Sequence, residues 1–253
     1  MHAVLLAAGV GRRLIEVTGG GPKCLLPFDG VSLLERHLRQ LAAAGVHRLT
    51  IVTGCEAMQI QQVLAAIVPD AAPEMTIDTI QNPDFRLGSA LSVLAARAVL
   101  EAGDDVLLMD ADVLYDRRML ARLINSPHDN VCLMDRDVDA SDAEPVKLAV
   151  AGAVPVGFDK QLPADLDYDT IGESVGFFRL TADMTAGLVA ACEQVCRADA
   201  DAPYEHALRD VLLASPGAFG IEDVTGLPWI EIDYPQDVDR AVDEILAQLE
   251  ALA

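Results

Sequence analysis

Cations are scarce in this chain: 18 Lys and Arg stand against 40 Asp and Glu over 253 residues, a formal net charge of −22. A field of that sign repels phosphate polymers and excludes a nucleic-acid surface. Long hydrophobic runs are lacking as well. No apolar stretch approaches the ~20 residues that cross a bilayer, and the N-terminus has strand-like residues with neither a basic segment nor a cleavage site. A soluble, cytoplasmic protein without a membrane partner is expected. Cysteine pairing is missing too, since the thiols at 24, 55, 132, 192 and 196 form no Cys-x-x-Cys and their odd number leaves at least one unpaired. Cys192 and Cys196, one helical turn apart, read as packing rather than metal ligands. What is plentiful is apolar surface. A hydrophobic fraction of 52% argues against disorder, and the length suffices for one α/β domain or two small ones with a sizeable core.

Against so acidic a background, the few cations placed beside glycines stand out. His2-Ala3-Val4-Leu5-Leu6 feeds into Ala7-Ala8-Gly9-Val10-Gly11-Arg12-Arg13-Leu14, followed by Gly20-Gly21-Pro22-Lys23. A buried strand that ends in small residues lets the backbone from Leu6 through Gly11 approach an anion, and glycines at 9 and 11 permit angles that a side chain would forbid. Arg12, Arg13 and Lys23 add charge that backbone dipoles cannot supply. The combination points to a nucleoside triphosphate, with a plain strand-to-helix turn as the competing interpretation. Two other phosphate loops are excluded. Lys23 precedes Cys24, so there is no Gly-Lys-Ser/Thr, and Leu14 occupies the third-glycine position of the dinucleotide fingerprint. Acidic runs at 137–142 and 199–201 are expected on solvated loops and helix ends.

Strand-like and helical patterns alternate through the first half: strands at Ala3–Ala7, Arg48–Thr53, Met75–Ile80 and Val106–Met109, helices at Ser32–Ala44, Ala57–Ile67 and Gly88–Leu100. That alternation predicts a mainly parallel sheet with crossover helices. Further strands are expected at Val131–Met134, Val175–Leu180, Phe219–Asp223 and Trp229–Asp233, with an antiparallel hairpin of Lys147–Ala151 and Val154–Phe158 turning at Gly152. Helices at Thr181–Cys196, Tyr204–Ala214 and Pro235–Leu252 complete the α/β pattern. With no repeat or linker, the expectation is one domain over 1–253, its nucleotide-binding half at 1–125 and its acceptor-binding half at 126–253.

Leu107-Leu108-Met109-Asp110-Ala111-Asp112 places two carboxylates at the C-terminal end of a buried strand, where open α/β sheets bind ligands. Their spacing predicts one shared face, with Ala111 pointing away. A hard cation such as Mg²⁺ takes one or two such carboxylates and fills its octahedron with water and substrate phosphate. A polar strand end capping a helix from Asp116 is the alternative. A second acidic pair lies in Trp229-Ile230-Glu231-Ile232-Asp233-Tyr234-Pro235, where apolar 230 and 232 put Glu231 and Asp233 on the opposite face and Pro235 opens a helix.

Together the opening loop with Pro22-Lys23, the middle Asp-Ala-Asp and the late Trp-Ile-Glu-Ile-Asp resemble the nucleotidyltransferases that activate small molecules from a triphosphate and a phosphate monoester. Nearest among these are the CTP:phosphocholine, inositol-1-phosphate and phosphonate cytidylyltransferases. The resemblance spans nearly the whole chain, including Gly88-Ser89-Ala90-Leu91-Ser92, Gly172-Glu173-Ser174-Val175-Gly176-Phe177-Phe178, Pro203-Tyr204-Glu205 and Pro235-Gln236-Asp237. It implies a mainly parallel mixed sheet flanked by helices, Rossmann-like and of the glycosyltransferase-A type. It further implies that Gly9, Gly11, Arg12 and Arg13 contact the triphosphate, that Lys23 reaches the attacked phosphate, that Asp112 and Asp233 hold Mg²⁺, and that Asp110 helps from outside. Gln81, Gly88 and Ser89 would face the base. Here Ser89-Ala90-Leu91-Ser92-Val93 departs from the Asn-x-x-Ser-Leu of the cytidylyltransferases towards the Gly-Thr-Ala of sugar nucleotidyltransferases, so CTP is expected while the base stays open.

The reaction implied is in-line attack by an acceptor phosphate or phosphonate oxygen on the α-phosphorus, with pyrophosphate leaving and no protein nucleophile. Lys147 and Lys160 are the acceptor-phosphate candidates. Glu173, Tyr204, Glu205, Trp229 and Glu231 combine carboxylates with aromatic rings, suited to an ammonium group, though they would equally bind the hydroxyls of an inositol or sugar phosphate. A glycosyltransferase using a nucleotide sugar and a non-catalytic nucleotide sensor stay open, as does a homodimer.

Overall fold

A computed structural model describes residues 1–138 and 143–249. In chain order it contains β1 (His2–Ala7), α1 (Ile15–Thr18), β2 (Pro27–Phe28), β3 (Val31–Ser32), α2 (Leu33–Ala43), β4 (Arg48–Thr53), α3 (Ala57–Ala71), β5 (Thr76–Gln81), α4 (Ala90–Ala95), α5 (Arg97–Leu100) and β6 (Val106–Asp110). The second half adds β7 (Val113–Tyr115), α6 (Arg117–Asn125), β8 (Asn130–Asp135), β9 (Lys147–Ala151), β10 (Val154–Asp159), β11 (Thr170–Leu180), α7 (Ala182–Ala198), α8 (Tyr204–Ala214), β12 (Phe219–Asp223), β13 (Trp229–Glu231) and α9 (Pro235–Arg240).

One mixed sheet of nine strands runs through both halves in the order β10-β9-β11-β6-β1-β4-β5, with β8 joining β11 to β12. Its centre, β6-β1-β4-β5, is parallel, as the expected strand–helix alternation requires, because parallel neighbours need a crossover. Side chains alternate between two cores. Leu5, Ile51, Leu107 and Met109 face α2, α3 and α6 on one side; Val4, Val52, Val106 and Leu108 face α4, α7 and α8 on the other. A strand such as β6 is therefore buried on both faces and reads as a continuous apolar run. A smaller third cluster, including Leu14, Phe28, Leu33, Ile230 and Ile232, seats the C-terminal segment beside the opening loop.

Strand β11 turns the sheet antiparallel and runs longer than the apolar pattern indicates. Its first four residues pair with β9, its middle with β8 and its end with β6. The register shifts between Ser174 and Phe178, where Gly176 adopts φ 77°; such an irregularity kinks a strand and re-aims its side chains.

Several expected elements differ. The helix expected over 88–100 starts at Ala90, where Gly88 N–H and Ala90 N–H donate to the carbonyls of Ala200 and Ala202, and it breaks at Ala96 (φ −84°, ψ 6°). The C-terminal helix keeps α geometry only to Arg240, then widens to a π turn at Ala241–Ile245 and tightens at Leu246–Gln248. Its last expected residues, like 139–142 of the acidic run, lie outside the described residues. Strand β13 stops at Glu231, so Asp233 sits in the following turn.

Candidate active site

Two adjoining cavities open at the C-terminal ends of the central strands. The smaller, about 250 Å³, is lined by Leu6, Ala7, Gly9, Gly11, Arg12, Arg13, Lys23, Cys24, Ala111, Asp112 and Asp233. Gly11 takes φ 61°, and a Cβ there would lie 3.1 Å from the Lys23 side chain, so both its backbone angle and its missing side chain are needed. Gly9 differs from expectation. It has no positive φ and nothing near its Cβ position, so its contribution is open space. Ala8 lies behind the cleft, buried, its carbonyl accepting from Cys55 N–H at 3.2 Å.

Lys23 brings this cleft together. Its Nζ donates to Asp112 Oδ2 at 2.9 Å and also to Asp233 Oδ1. Burial alone would lower the pKa of this ammonium, but the two carboxylates outweigh that and raise it. One oxygen from each of Asp112, Glu231 and Asp233 lies within 4.8 Å of the others. Asp237 fixes this end of the chain, its Oδ2 accepting from Asp233 N–H at 3.0 Å and Tyr234 N–H at 2.7 Å. Arg13 approaches Asp233 at 3.4 Å and Glu144 at 3.6 Å, with its guanidinium 4.6 Å above the Tyr234 ring.

The expectation that Asp110 and Asp112 share a face is corrected. Two-residue alternation holds only within a strand, and β6 ends at Asp110. Ala111 N–H still bonds the Leu6 carbonyl at 3.2 Å, and residues 111–112 form a turn. Asp112 therefore lines the loop cleft while Asp110 lines the second cavity. There Asp110 Oδ2 accepts from the Tyr204 hydroxyl at 2.7 Å and lies 2.2 Å from where a Cβ on Gly176 would be. Burial, then repulsion from Asp112, Glu205 and Glu231, holds Asp110 well above the usual carboxylate range.

The second cavity, about 710 Å³, includes Lys160, Glu173, Tyr204, Glu205, Trp229 and Glu231 in its lining, and Asp233 borders both cavities. Trp229 Nε1–H donates to Asp135 at 2.7 Å. Glu231 faces the open cleft but is recessed among acids; loss of hydration, then Asp112 and Asp233, raises its pKa well above the ordinary value. It was expected to meet the acceptor, and it also joins the carboxylate cluster.

Other expected residues sit elsewhere. Lys147 lines neither cavity: it is buried and donates to the Lys160 carbonyl at 3.0 Å, steadying the hairpin that carries Lys160. Gln81 is exposed at the end of β5 and lines neither cavity. Gly88 packs so closely on the 199–203 turn that a Cβ would lie 2.1 Å from the Ala202 carbonyl, and the Ser89 hydroxyl accepts from Tyr204 N–H at 2.9 Å. These two residues clamp α4 to α8. Missed by sequence reasoning were Asp135, Glu144, Tyr234 and Asp237, all lining the larger cavity. Only Asp237 carried a signal, as an acid in the first turn after Pro235.

This arrangement can hold an anion on the opening loop and a hard cation on the carboxylates, with a second reactant beside them. Known proteins are similar to this chain along most of its length. The chain is 28% identical over 245 residues to the CMP-5'-(3-aminopropyl)phosphonate synthase of Streptomyces rubellomurinus and 30% identical over 247 residues to the bifunctional IPC transferase and DIPP synthase of Rubrobacter xylanophilus. Those alignments cover 95% and 96% of the chain but 38% and 52% of the relatives, so the chain spans about half or less of their length. Among solved structures, the inositol-1-phosphate CTP transferase from T. maritima superposes with a TM-score of 0.76 at 20% identity, covering 99% of this chain and 98% of that one, a likeness of fold. The model of the MobA-like NTP transferase domain matches residues 3–156, which hold the opening loop, Lys23 and Asp112, and the chain belongs to that nucleotidyltransferase family.

Proposed function

We propose that this chain transfers a cytidylyl group from CTP to a small phosphate or phosphonate monoester that also carries positive charge, releasing pyrophosphate. The observation that carries the proposal is Asp233, which borders both cavities: a triphosphate on the loop and an acceptor in the acidic cavity meet at that carboxylate. Cytosine is supported by relatives whose names carry CMP or CTP. A cationic acceptor is supported by the wall of the larger cavity, with nine acidic residues against Lys160 and Arg240.

The acceptor oxygen is already ionised near neutral pH, so no side chain needs to act as nucleophile. That oxygen attacks the α-phosphorus as the bond to the β-phosphate oxygen breaks, and Arg12 and Arg13 meet the charge developing on pyrophosphate. Asp112 and Asp233 would fit Mg²⁺ by the chemistry of their donors, hard oxygens close together whose negative charge the single Lys23 ammonium only partly offsets. Bound there, Mg²⁺ supplies charge neutralisation of the phosphates. Lys23 then contacts the phosphate under attack, and Lys160 the acceptor's own phosphate.

A pyrophosphate-release assay crossing the four triphosphates with phosphocholine, 2-aminoethylphosphonate, inositol 1-phosphate and a sugar 1-phosphate tests this reading. Turnover with CTP and a cationic acceptor is expected. Turnover confined to uncharged acceptors, nucleoside diphosphate released from a nucleotide sugar, or triphosphate binding without any turnover would each overturn it.

A further inference from the structure

The acidic cavity contains a buried polar group to which the reaction as described gives no individual role. Glu205 sits in the first turn of α8, where the Ser89 hydroxyl hydrogen-bonds to its carboxylate. Its other oxygen, Oε2, is shielded from water and has no hydrogen-bond partner, and among the described residues no other carboxylate oxygen is in that state. Buried acceptors without a donor are uncommon because the lost hydration goes uncompensated. Glu205 lines the cavity beside Asp110 and Tyr204, so a small rotation of its carboxylate brings that oxygen to a donor on an occupant.

The aromatic rings around the cavity favour one kind of cation. A trimethylammonium group has no N–H and is held by the open faces of aromatic rings. Here three of the lining rings are already engaged by neighbours: one face of Tyr234 lies under the Arg13 guanidinium, and Phe178 and Tyr204 pack edge to face with centroids 6.5 Å apart, while Trp229 is held through its in-plane N–H by Asp135. A primary ammonium carries three N–H donors, which match carboxylate oxygens. Resting on the cytidylyltransfer reading above, we infer that Glu205 Oε2 accepts a hydrogen bond from a primary ammonium on the acceptor, and that the chain selects aminoalkyl phosphates or phosphonates over their trimethylammonium counterparts.

Steady-state kinetics with CTP would compare 2-aminoethyl phosphate, phosphocholine and uncharged propyl phosphate on the wild-type chain and on Glu205→Gln. The wild type is expected to prefer the amine by at least ~10²-fold in kcat/KM, because a site that hydrogen-bonds a substrate N–H rejects an analogue lacking it. In Glu205→Gln the preference for the amine should shrink about tenfold through its KM, with the KM for CTP held. Equal use of phosphocholine and the amine by the wild type overturns the inference and leaves cytidylyl transfer standing. A preference unchanged in a folded Glu205→Gln overturns the role of Glu205. Absence of pyrophosphate release with every acceptor overturns both readings.

Discussion

Lys23 and Asp112, 89 residues apart in sequence, are joined by a 2.9 Å charge-assisted hydrogen bond in the wall of the smaller cavity. The contact ties the opening loop to the end of β6 and leaves the lysine beside the carboxylates that fit a divalent cation.

Lys23→Met should therefore lower kcat by ~10²–10³-fold, the usual loss when a charged donor to a transferring phosphoryl group is removed. It should also cost stability, because Asp112 and Asp233 lose their shared partner. A lysine pKa raised in the folded state contributes stability that is fully present below ~10.4, its value in the unfolded chain, and is lost as pH rises through the folded value. In urea titrations the gap between wild type and variant should stay level from about pH 6 to 9 and close only above ~10.4. A gap that closes near neutrality would show that the pair is not the source.

His37 is fully buried on α2, 5.2 Å from the Tyr115 ring and 6.1 Å from Phe177. Burial pushes its pKa down to about 3, against a small opposing contact with the Ala111 backbone. A depressed histidine leaves stability intact above the unfolded value of ~6.5 and removes ~1.4 kcal/mol per pH unit below it, as only the unfolded chain takes the proton. Relative to wild type, His37→Leu should gain about 2 kcal/mol between pH 7 and pH 5. Parallel stability curves for the two proteins would contradict this.

Gly176→Ala combines two penalties, a side chain at φ 77° and a methyl group 2.2 Å from Asp110 Oδ2. A loss of about 2 kcal/mol or more in chemical denaturation is expected, with weakened acceptor KM because Asp110 and its Tyr204 partner line that cavity. Ala substitution at the exposed Gly217, also at positive φ but with open space around it, carries only the backbone part.

Trp229 is the sole tryptophan of the chain and lines the larger cavity. Its fluorescence should change saturably when an acceptor is added with CTP present, and Asp135→Asn should weaken that response by loosening the indole N–H contact. A flat titration with an acceptor that turns over would place acceptor binding elsewhere.

The legible parts of this protein were those governed by local rules. Arg48–Thr53, Lys147–Ala151, Tyr204–Ala214 and Phe219–Asp223 fall where their patterns put them, because a strand buried on both faces and a helix with one apolar side leave period-specific marks. The opening loop was legible as a group, since Gly9, Gly11, Arg12, Arg13 and Lys23 line one cavity. Lys147 was misplaced because a lysine's sequence neighbours do not reveal that a carbonyl 13 residues away will capture it.

By itself the sequence determined an acidic α/β chain with a glycine-containing opening loop after its first strand and carboxylates at strand ends, since composition and periodicity act residue by residue. Only the tertiary structure decided which carboxylates work together. Asp112 joins Glu231 and Asp233 while Asp110 turns to Tyr204, because β6 ends at Asp110 and a turn carries Asp112. It also decided that Glu205 keeps an unpartnered oxygen, because burial and hydrogen-bond satisfaction depend on elements that meet only after folding.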